Sequence, residues 1–459
     1  MRYHVIGIGG FGMSAIARVL AGRGHNVTGS DARANALTAA LQHEGIQVYI
    51  GHQAQNIHGA EAILASTAIP DDNPELIAAK MANIPIYRRR DILTLLTEGF
   101  RTIGIAGTHG KTTTTALATY VLDMGGLDPT AIVGGVMMNY GSNARVGKGE
   151  WFVIEADEYG EMFLGLSPEI AVINNIEHDH PDLFPDLTSL TNAFKTYSER
   201  ILPHGILIGG IDSSAVQPII EAREWAGLPS ITYSLQNSQA TWYATNIYRT
   251  HLATTCFTAF YNGEQVEEFE LNMLGAHNVE NALAVIAIAH HVGIDFSVLK
   301  KALVSFKGTG RRSEIMGRVR DVLIINDYAH HPTAIRSTLA AWKPVVKRLW
   351  AVWEPHTYTR MRALASEFAH AFVDADKVLV VDVYSVREEV TPGLNAPNLA
   401  RMITETGHPS ARYVGDFAAT AELLAAEVQR GDGVIILSAG DAPAVGHLLL
   451  RSLMDESNP

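Results

Sequence analysis

The sequence predicts an α/β protein of three units in series, the first a small Rossmann-type unit and the second opening on a phosphate loop. Three observations carry this reading. A β-rich segment runs into Gly7-Ile8-Gly9-Gly10-Phe11-Gly12, a second runs into Gly107-Thr108-His109-Gly110-Lys111-Thr112-Thr113, and strand–helix alternation resumes beyond residue 311. At 459 residues the chain exceeds one ordinary core, and about 100–200 residues per domain gives two to four domains. We place the units at 1–98, 99–310 and 311–459.

In the first unit Tyr3–Ile8 reads as a strand, Gly9–Gly12 as its turn and Met13–Gly22 as a helix. Val27–Ser30, Ala62–Ser66 and Ile84–Tyr87 follow as strands. In the second, Arg101–Ala106 feeds the glycine loop and a helix, with strands at Trp151–Ala156 and Ile170–Ile176. Residues 240–274 are β-rich, with a hairpin at Tyr261-Asn262-Gly263, and the helix Val279–His291 precedes the glycine-rich Lys307–Arg312. Strands at Val322–Asn326, Arg348–Val352, Lys377–Val381 and Gly433–Leu437 define the third unit.

Composition narrows the function. Hydrophobic residues make up 47% and charged residues 18%, which is globular composition. A formal charge of −13 gives no support for nucleic-acid binding, which needs clustered cations against phosphates. The one dense basic run, Arg88-Arg89-Arg90, reads as a solvated face. A single cysteine, Cys256, permits neither an intrachain disulfide nor a cysteine zinc site, and suits a reducing compartment. No segment reaches the ~18 apolar residues of a membrane span. We expect a cytoplasmic protein without a membrane span, a monomer or weak homodimer.

The loop at 107–113 departs from the usual G-x-x-x-x-G-K-[ST] spacing, because only Thr108 and His109 separate its glycines. The physics survives: backbone N–H groups and a helix N-terminus face phosphates, Lys111 reaches terminal oxygens, and Thr112 is placed for Mg2+. The first motif, with Asp31 following it, is a full dinucleotide fingerprint, yet a UDP diphosphate would use the same seat, and the motif cannot choose. Glu155-Ala156-Asp157-Glu158-Tyr159 and Glu177-His178-Asp179-His180 end two strands, where ligands of parallel sheets bind. Asn278 with Asn281, Gly310-Arg311-Arg312, the run from Asp327 to Pro332 and the run from Glu354 to Arg360 interrupt apolar context, although each could be an ordinary loop.

GIGGFGMS, GTHGKTTTT, EADEY, NIEHDH, AHNVENALA, GTGRRSE, NDYAHHPT and EPHTYTR occur in the order seen in the Mur ligases of peptidoglycan synthesis, and the chain resembles that family almost to Gly446. The resemblance implies a three-domain Mur ligase architecture: an N-terminal Rossmann-like domain holding a UDP-sugar, a central P-loop ATPase domain, and a C-terminal Rossmann-like domain that closes over ATP and brings the amino acid. DVYSVREE, TPG and SAGD are similar to the branch that adds L-alanine to UDP-N-acetylmuramate, with ATP and Mg2+ as cofactors and an acyl phosphate as intermediate.

Carried over by motif, ATP would meet Gly107, Thr108, His109, Gly110, Lys111, Thr112, Thr113, Asn281, Arg312 and Asp327. Mg2+ would meet Thr112, Glu155 and His180. The UDP-sugar would meet Gly9, Gly10, Phe11, Gly12, Met13, Ser14, Ser30 and Asp31, and the amino acid Tyr328, His330 and Arg360. Lys111, His180, His330 and Arg360 are the catalytic candidates. Thr357 stands where many members carry an arginine, and Lys195 does not fall in the register of the carbamylated lysine of some relatives. Two rivals differ in class or substrate: a ligase that recycles a preformed tripeptide, and an NAD-dependent oxidoreductase, which would leave the phosphate loop idle. A non-catalytic nucleotide switch would leave the histidine and arginine clusters idle.

Overall fold

The computed structural model describes residues 1–88, 90–250, 254–385, 388–389, 391 and 393–455. Arg89 of the basic run and Val386, Arg387 and Pro392 of the DVYSVREE and TPG stretch lie outside the described residues. Arg88 and Arg90 pair with Asp71 at 3.3 Å and Glu161 at 3.2 Å.

Among the described residues there are three sheets. The first is parallel throughout, in the order Gln47–Ile50, Asn26–Asp31, Arg2–Ile6, Ala62–Ala65, Ile86–Arg88. Its order reverses beside Arg2–Ile6, so the glycine turn at the end of that strand opens at the switch point where α/β sheets bind ligands. The helix after the turn begins at Phe11, earlier than expected, because Gly10 in extended conformation serves as its N-cap.

The second sheet has ten strands, with Arg101–Ala106 near its middle between Ile170–Ile173 and Trp151–Glu155. These are buried on both faces and parallel, which is why they read as continuous apolar runs. Thr255–Tyr261 and Glu264–Leu271 form the expected hairpin through Asn262 and Gly263. A pair not expected from sequence, Thr130–Met137 with Ser142–Arg145, closes the other edge. That pair anchors the first unit: Asn143 donates from Nδ2 to the Phe11 carbonyl at 2.7 Å, and Arg18 donates to Asn143 Oδ1 at 2.5 Å.

The third sheet runs Glu314–Val319, Val322–Asp327, Gly433–Leu437, Leu349–Trp353, Lys377–Val381, Ala411–Gly415, with only its first strand antiparallel. Val322–Asp327 and Leu349–Trp353 flank Gly433–Leu437 in parallel, so the loops beginning at Tyr328 and Glu354 leave one edge of the sheet together. Among the described residues no helix is long and apolar enough to cross a membrane.

A phosphate-loop cleft shared by three units

A cleft of about 1230 Å³ lies where the strand ends of the second and third sheets meet, and all three units line it. Phe11, Gly12 and Ile16 come from the first, residues 108–113 with Glu155, Asp157 and His180 from the second, and Arg312, Asp327, Tyr328, His330 and Arg360 from the third.

The loop's short spacing does not prevent a phosphate seat. Gly110, at φ +81°, caps the helix Lys111–Met124 in the left-handed region, and a Cβ there would lie 2.2 Å from Asn281 Oδ1. Asn175 fixes the loop: its carbonyl accepts from Thr108 N at 2.9 Å and its Oδ1 from His109 N at 2.8 Å. Lys111 donates from Nζ to the Gly107 carbonyl at 2.7 Å and to Glu158 at 2.8 and 3.0 Å. Burial works against the Lys111 ammonium, but Glu158, Asp157 and Glu155 outweigh it and hold its pKa above the ordinary lysine value. The same pairing lowers Glu158 against its own burial, while burial and the Glu158 charge push Asp157 up to about 6. Lys111 is therefore already paired to a carboxylate, and a phosphate ligand would have to displace Glu158 to reach it.

Thr112 donates to Glu155 Oε1 at 3.1 Å, and Gly134 N donates to Oε2 at 2.8 Å, so this carboxylate is aimed beside the helix N-terminus. A hydroxyl and a carboxylate are the hard oxygen donors that Mg2+ takes, and this pair fits it. His180 is held differently: at φ 53° its Nε2 lies 3.6 Å from Glu158 Oε1 and 3.9 Å from Asp179 Oδ2. Burial disfavours the imidazolium, but the Glu158 and Asp179 carboxylates beside it raise its pKa above the usual histidine value. The structure thus joins Thr112 to Glu155 and turns His180 toward Glu158.

From the third unit, Tyr328 stacks under two guanidiniums, with Arg311 at 4.7 Å and Arg312 at 4.8 Å from its ring centre. Arg312 also reaches Thr112 Oγ1 at 3.5 Å. Asp327 accepts from Ser313 N at 2.7 Å and Ala329 N at 2.8 Å, and burial raises its pKa. His330 Nδ1 lies 2.8 Å from the Tyr328 carbonyl, which can only accept, so Nδ1 carries the proton and Nε2 keeps a lone pair. Burial, then Arg360, holds His330 well below the ordinary histidine pKa. Arg360 is buried, and Asp179 of the second unit accepts from its Nε and Nη2. Asn281, on the helix Ala276–His291, accepts from the Thr114 hydroxyl and donates to Asn278, each at 3.2 Å.

The first unit is brought in only partly. Phe11 and Gly12 reach the cleft and Gly10 is exposed. Asp31 Oδ2 accepts from Gly9 N at 2.9 Å, so the acidic residue holds the turn itself. Met13, Ser14 and Ser30 are buried. Ser14 Oγ donates to the Phe11 carbonyl at 3.0 Å, and Ser30 Oγ to Glu75 at 2.6 Å. A ligand acceptor could take these hydroxyl protons only by breaking those bonds. Sequence reasoning missed Asn175, although two asparagines ending a buried strand were a usable signal, and Glu388, whose carboxylate caps the helix Tyr358–Ala363 by accepting from Thr359 N at 3.1 Å. Lys195 is exposed on the helix Leu187–Glu199.

Three α/β units converging on a phosphate loop, with cationic groups of the outer unit turned onto it, define a phosphate-loop enzyme whose site is assembled from all three units. The chain belongs to the Mur ligase family: "Mur ligase family, catalytic domain" matches residues 2–101, "Mur ligase middle domain" residues 105–289, and "Mur ligase, glutamate ligase domain" residues 311–440. UDP-N-acetylmuramate–L-alanine ligase of Geotalea uraniireducens is 39% identical over 456 residues, 98% of each chain. The enzyme of the same name from Brucella anthropi is 40% identical over 459 residues, 99% of this chain and 97% of that one. Among solved structures, UDP-N-acetylmuramate-alanine ligase from Thermotoga maritima superposes with a TM-score of 0.83 at 27% identity, covering 99% of this chain and 100% of its own. A murein peptide ligase from Psychrobacter arcticus reaches 0.71 at 26% identity, covering 99% and 98%.

Proposed function

We propose that this chain is an ATP-dependent ligase joining L-alanine to the carboxylate of UDP-N-acetylmuramate, a step of peptidoglycan synthesis. The observation that carries the reading is the full-length likeness to relatives of that name, joined to a cleft in which the phosphate loop meets His330 and Arg360. ATP and a UDP-sugar are cytoplasmic metabolites, and we place the enzyme there, as a monomer or weak homodimer divided at 1–98, 99–310 and 311–459.

The muramate carboxylate attacks the γ-phosphorus of ATP, releasing ADP and forming an acyl phosphate. The alanine amine then adds to the acyl carbon, loses a proton, and expels inorganic phosphate to leave the amide. Lys111 exchanges Glu158 for phosphate oxygens, and the amides of residues 107–113 cradle them. Thr112 and Glu155 would hold Mg2+, which would supply charge neutralisation at the phosphates, with His180 turned toward Glu158 on the same cleft. Asn281, Arg312 and Asp327 hold the nucleotide from two units. Tyr328, His330 and Arg360 receive the amino acid: Arg360 takes its carboxylate, and His330 Nε2 offers its lone pair to an amine N–H. Gly9, Gly10, Phe11 and Gly12 seat the UDP diphosphate, with Met13, Ser14, Ser30 and Asp31 shaping that turn from behind.

Carboxyl-18O-labelled UDP-N-acetylmuramate tests the chemistry. One labelled oxygen must leave in inorganic phosphate for each amide formed; phosphate free of label would reject the acyl phosphate. The likeness to the Psychrobacter arcticus enzyme favours a second reading, ligation of a preformed peptide, which L-alanine and tripeptide compared as acceptors would separate.

A further inference from the structure

We propose that His109, Glu177 and His331 form a second cation site, for zinc or a similar borderline divalent ion, shared between the phosphate-loop unit and the third unit. His109 Nε2 lies 3.1 Å from Glu177 Oε2, and His331 Nδ1 lies 3.6 Å from the same oxygen. One donor atom from each residue falls within 4.8 Å of the others. Bonds of about 2.0–2.1 Å at tetrahedral angles put ligand atoms roughly 3.3–3.5 Å apart. Two of the three separations already bracket that value, and the third, at most 4.8 Å between the imidazole nitrogens, would shorten by rotation of rings whose centres are 4.7 Å apart.

Two imidazoles and one carboxylate suit zinc, nickel or ferrous iron and not Mg2+, which takes oxygen donors, so the site is chemically distinct from Thr112 and Glu155. Ring orientation is supported from outside: His331 Nε2 lies 3.3 Å from the His178 carbonyl, the outer hydrogen bond that metal-bound histidines characteristically make. Nδ1 of His331 accepts only a long 3.3 Å bond from Thr333 N, which the ion would replace. All three side chains line the cleft, leaving a fourth position open to solvent or ligand. His331 belongs to the third unit and the other two to the second, so an ion here fastens one to the other.

The test uses the full-length protein, stripped of metal and kept in excess Mg2+, titrated with Zn2+ against a zinc-binding indicator and followed by thermal unfolding. His331→Asn keeps a residue able to cap the helix Pro332–Trp342, Glu177→Gln keeps the side-chain shape, and His204→Gln is an exposed control. The expected result is one zinc per chain, raising the unfolding temperature, in the native protein and the control, with affinity at least about ten-fold weaker in both site variants. Should one site variant fail to fold, the other decides. No zinc bound under Mg2+, or zinc bound equally by the site variants and the native chain, would overturn the proposal.

Discussion

Arg360 donates two N–H groups, from Nε at 3.0 Å and Nη2 at 2.7 Å, to a single oxygen of Asp179, across the boundary between the second and third units. Both side chains are about 5% exposed, and Arg360 holds Asp179 well below the usual carboxylate range against its own burial. The lowered pKa means that the pair is intact above the ordinary carboxylate pKa and is lost only as pH falls through the depressed value.

Asp179→Asn removes the charge that keeps Arg360 in place. Breaking a buried pair costs about 3–5 kcal/mol when the orphan stays buried, but this pair spans two units, and their separation would wet the orphan without unfolding either core. The loss therefore appears as weaker amino-acid binding more than as unfolding. We expect KM for L-alanine to rise about ten-fold or more with a small change in Tm, measured by steady-state kinetics and calorimetry.

Lys111→Met should abolish phosphate binding and also strand Glu158, which is 1% exposed. Activity should fall by at least about 100-fold, with a clear drop in Tm. The double variant Lys111→Met/Glu158→Gln should recover most of the Tm and none of the activity. If Tm is unchanged in the single variant, the pair is not the buried couple described.

Gly110→Ala places a Cβ against Asn281 and forces a left-handed alanine, worth roughly 1–2 kcal/mol before any clash. Nucleotide affinity should fall more than stability, as read by ATP titration and thermal unfolding of the same sample.

Glu75 is fully buried beneath the first sheet, accepting from Ser30 Oγ and Asn56 Nδ2, each at 2.6 Å, and lying 3.7 Å from His4 Nε2. Burial opposes its charge, but the His4 imidazole beside it and the hydrogen bonds from Ser30 and Asn56 bring its pKa from 4.5 down to about 2. Its contribution is complete above pH 4.5 and disappears as pH falls toward 2. Glu75→Gln should flatten that acid limb of stability against pH, measured by denaturant titration across the window.

Thr357 has φ +64° and ψ 138°, a region that β-branched residues avoid, at the start of the helix Tyr358–Ala363. Thr357→Gly should stabilise the chain by about 0.5–1 kcal/mol after the entropy of the unfolded glycine is counted. Chemical denaturation checks the sign.

These pairings explain what the sequence could and could not reveal. Arg101–Ala106, Lys377–Val381 and Gly433–Leu437 were legible because strands buried on both faces read as unbroken apolar runs. Gln47–Ile50 and Ala411–Gly415 are short, partly exposed edge strands of mixed polarity, and Thr130–Met137 is interrupted by Gly134-Gly135. In the site, the motifs located Lys111, Glu155, Asp327 and Arg360. They did not show that Arg360 meets Asp179, 181 residues away, or that Ser14 and Ser30 spend their hydroxyls inside the first unit. Local spacing marks which residues can do chemistry, whereas their partners depend on how the three sheets are brought together.

The most direct measurement is the mass of the product formed from UDP-N-acetylmuramate, ATP and Mg2+ with L-alanine, the tripeptide, or neither. The expected product is the alanyl nucleotide, made with one phosphate released per molecule and only when L-alanine is present. A peptidyl nucleotide formed only with the tripeptide, or no amide with either acceptor, would contradict it.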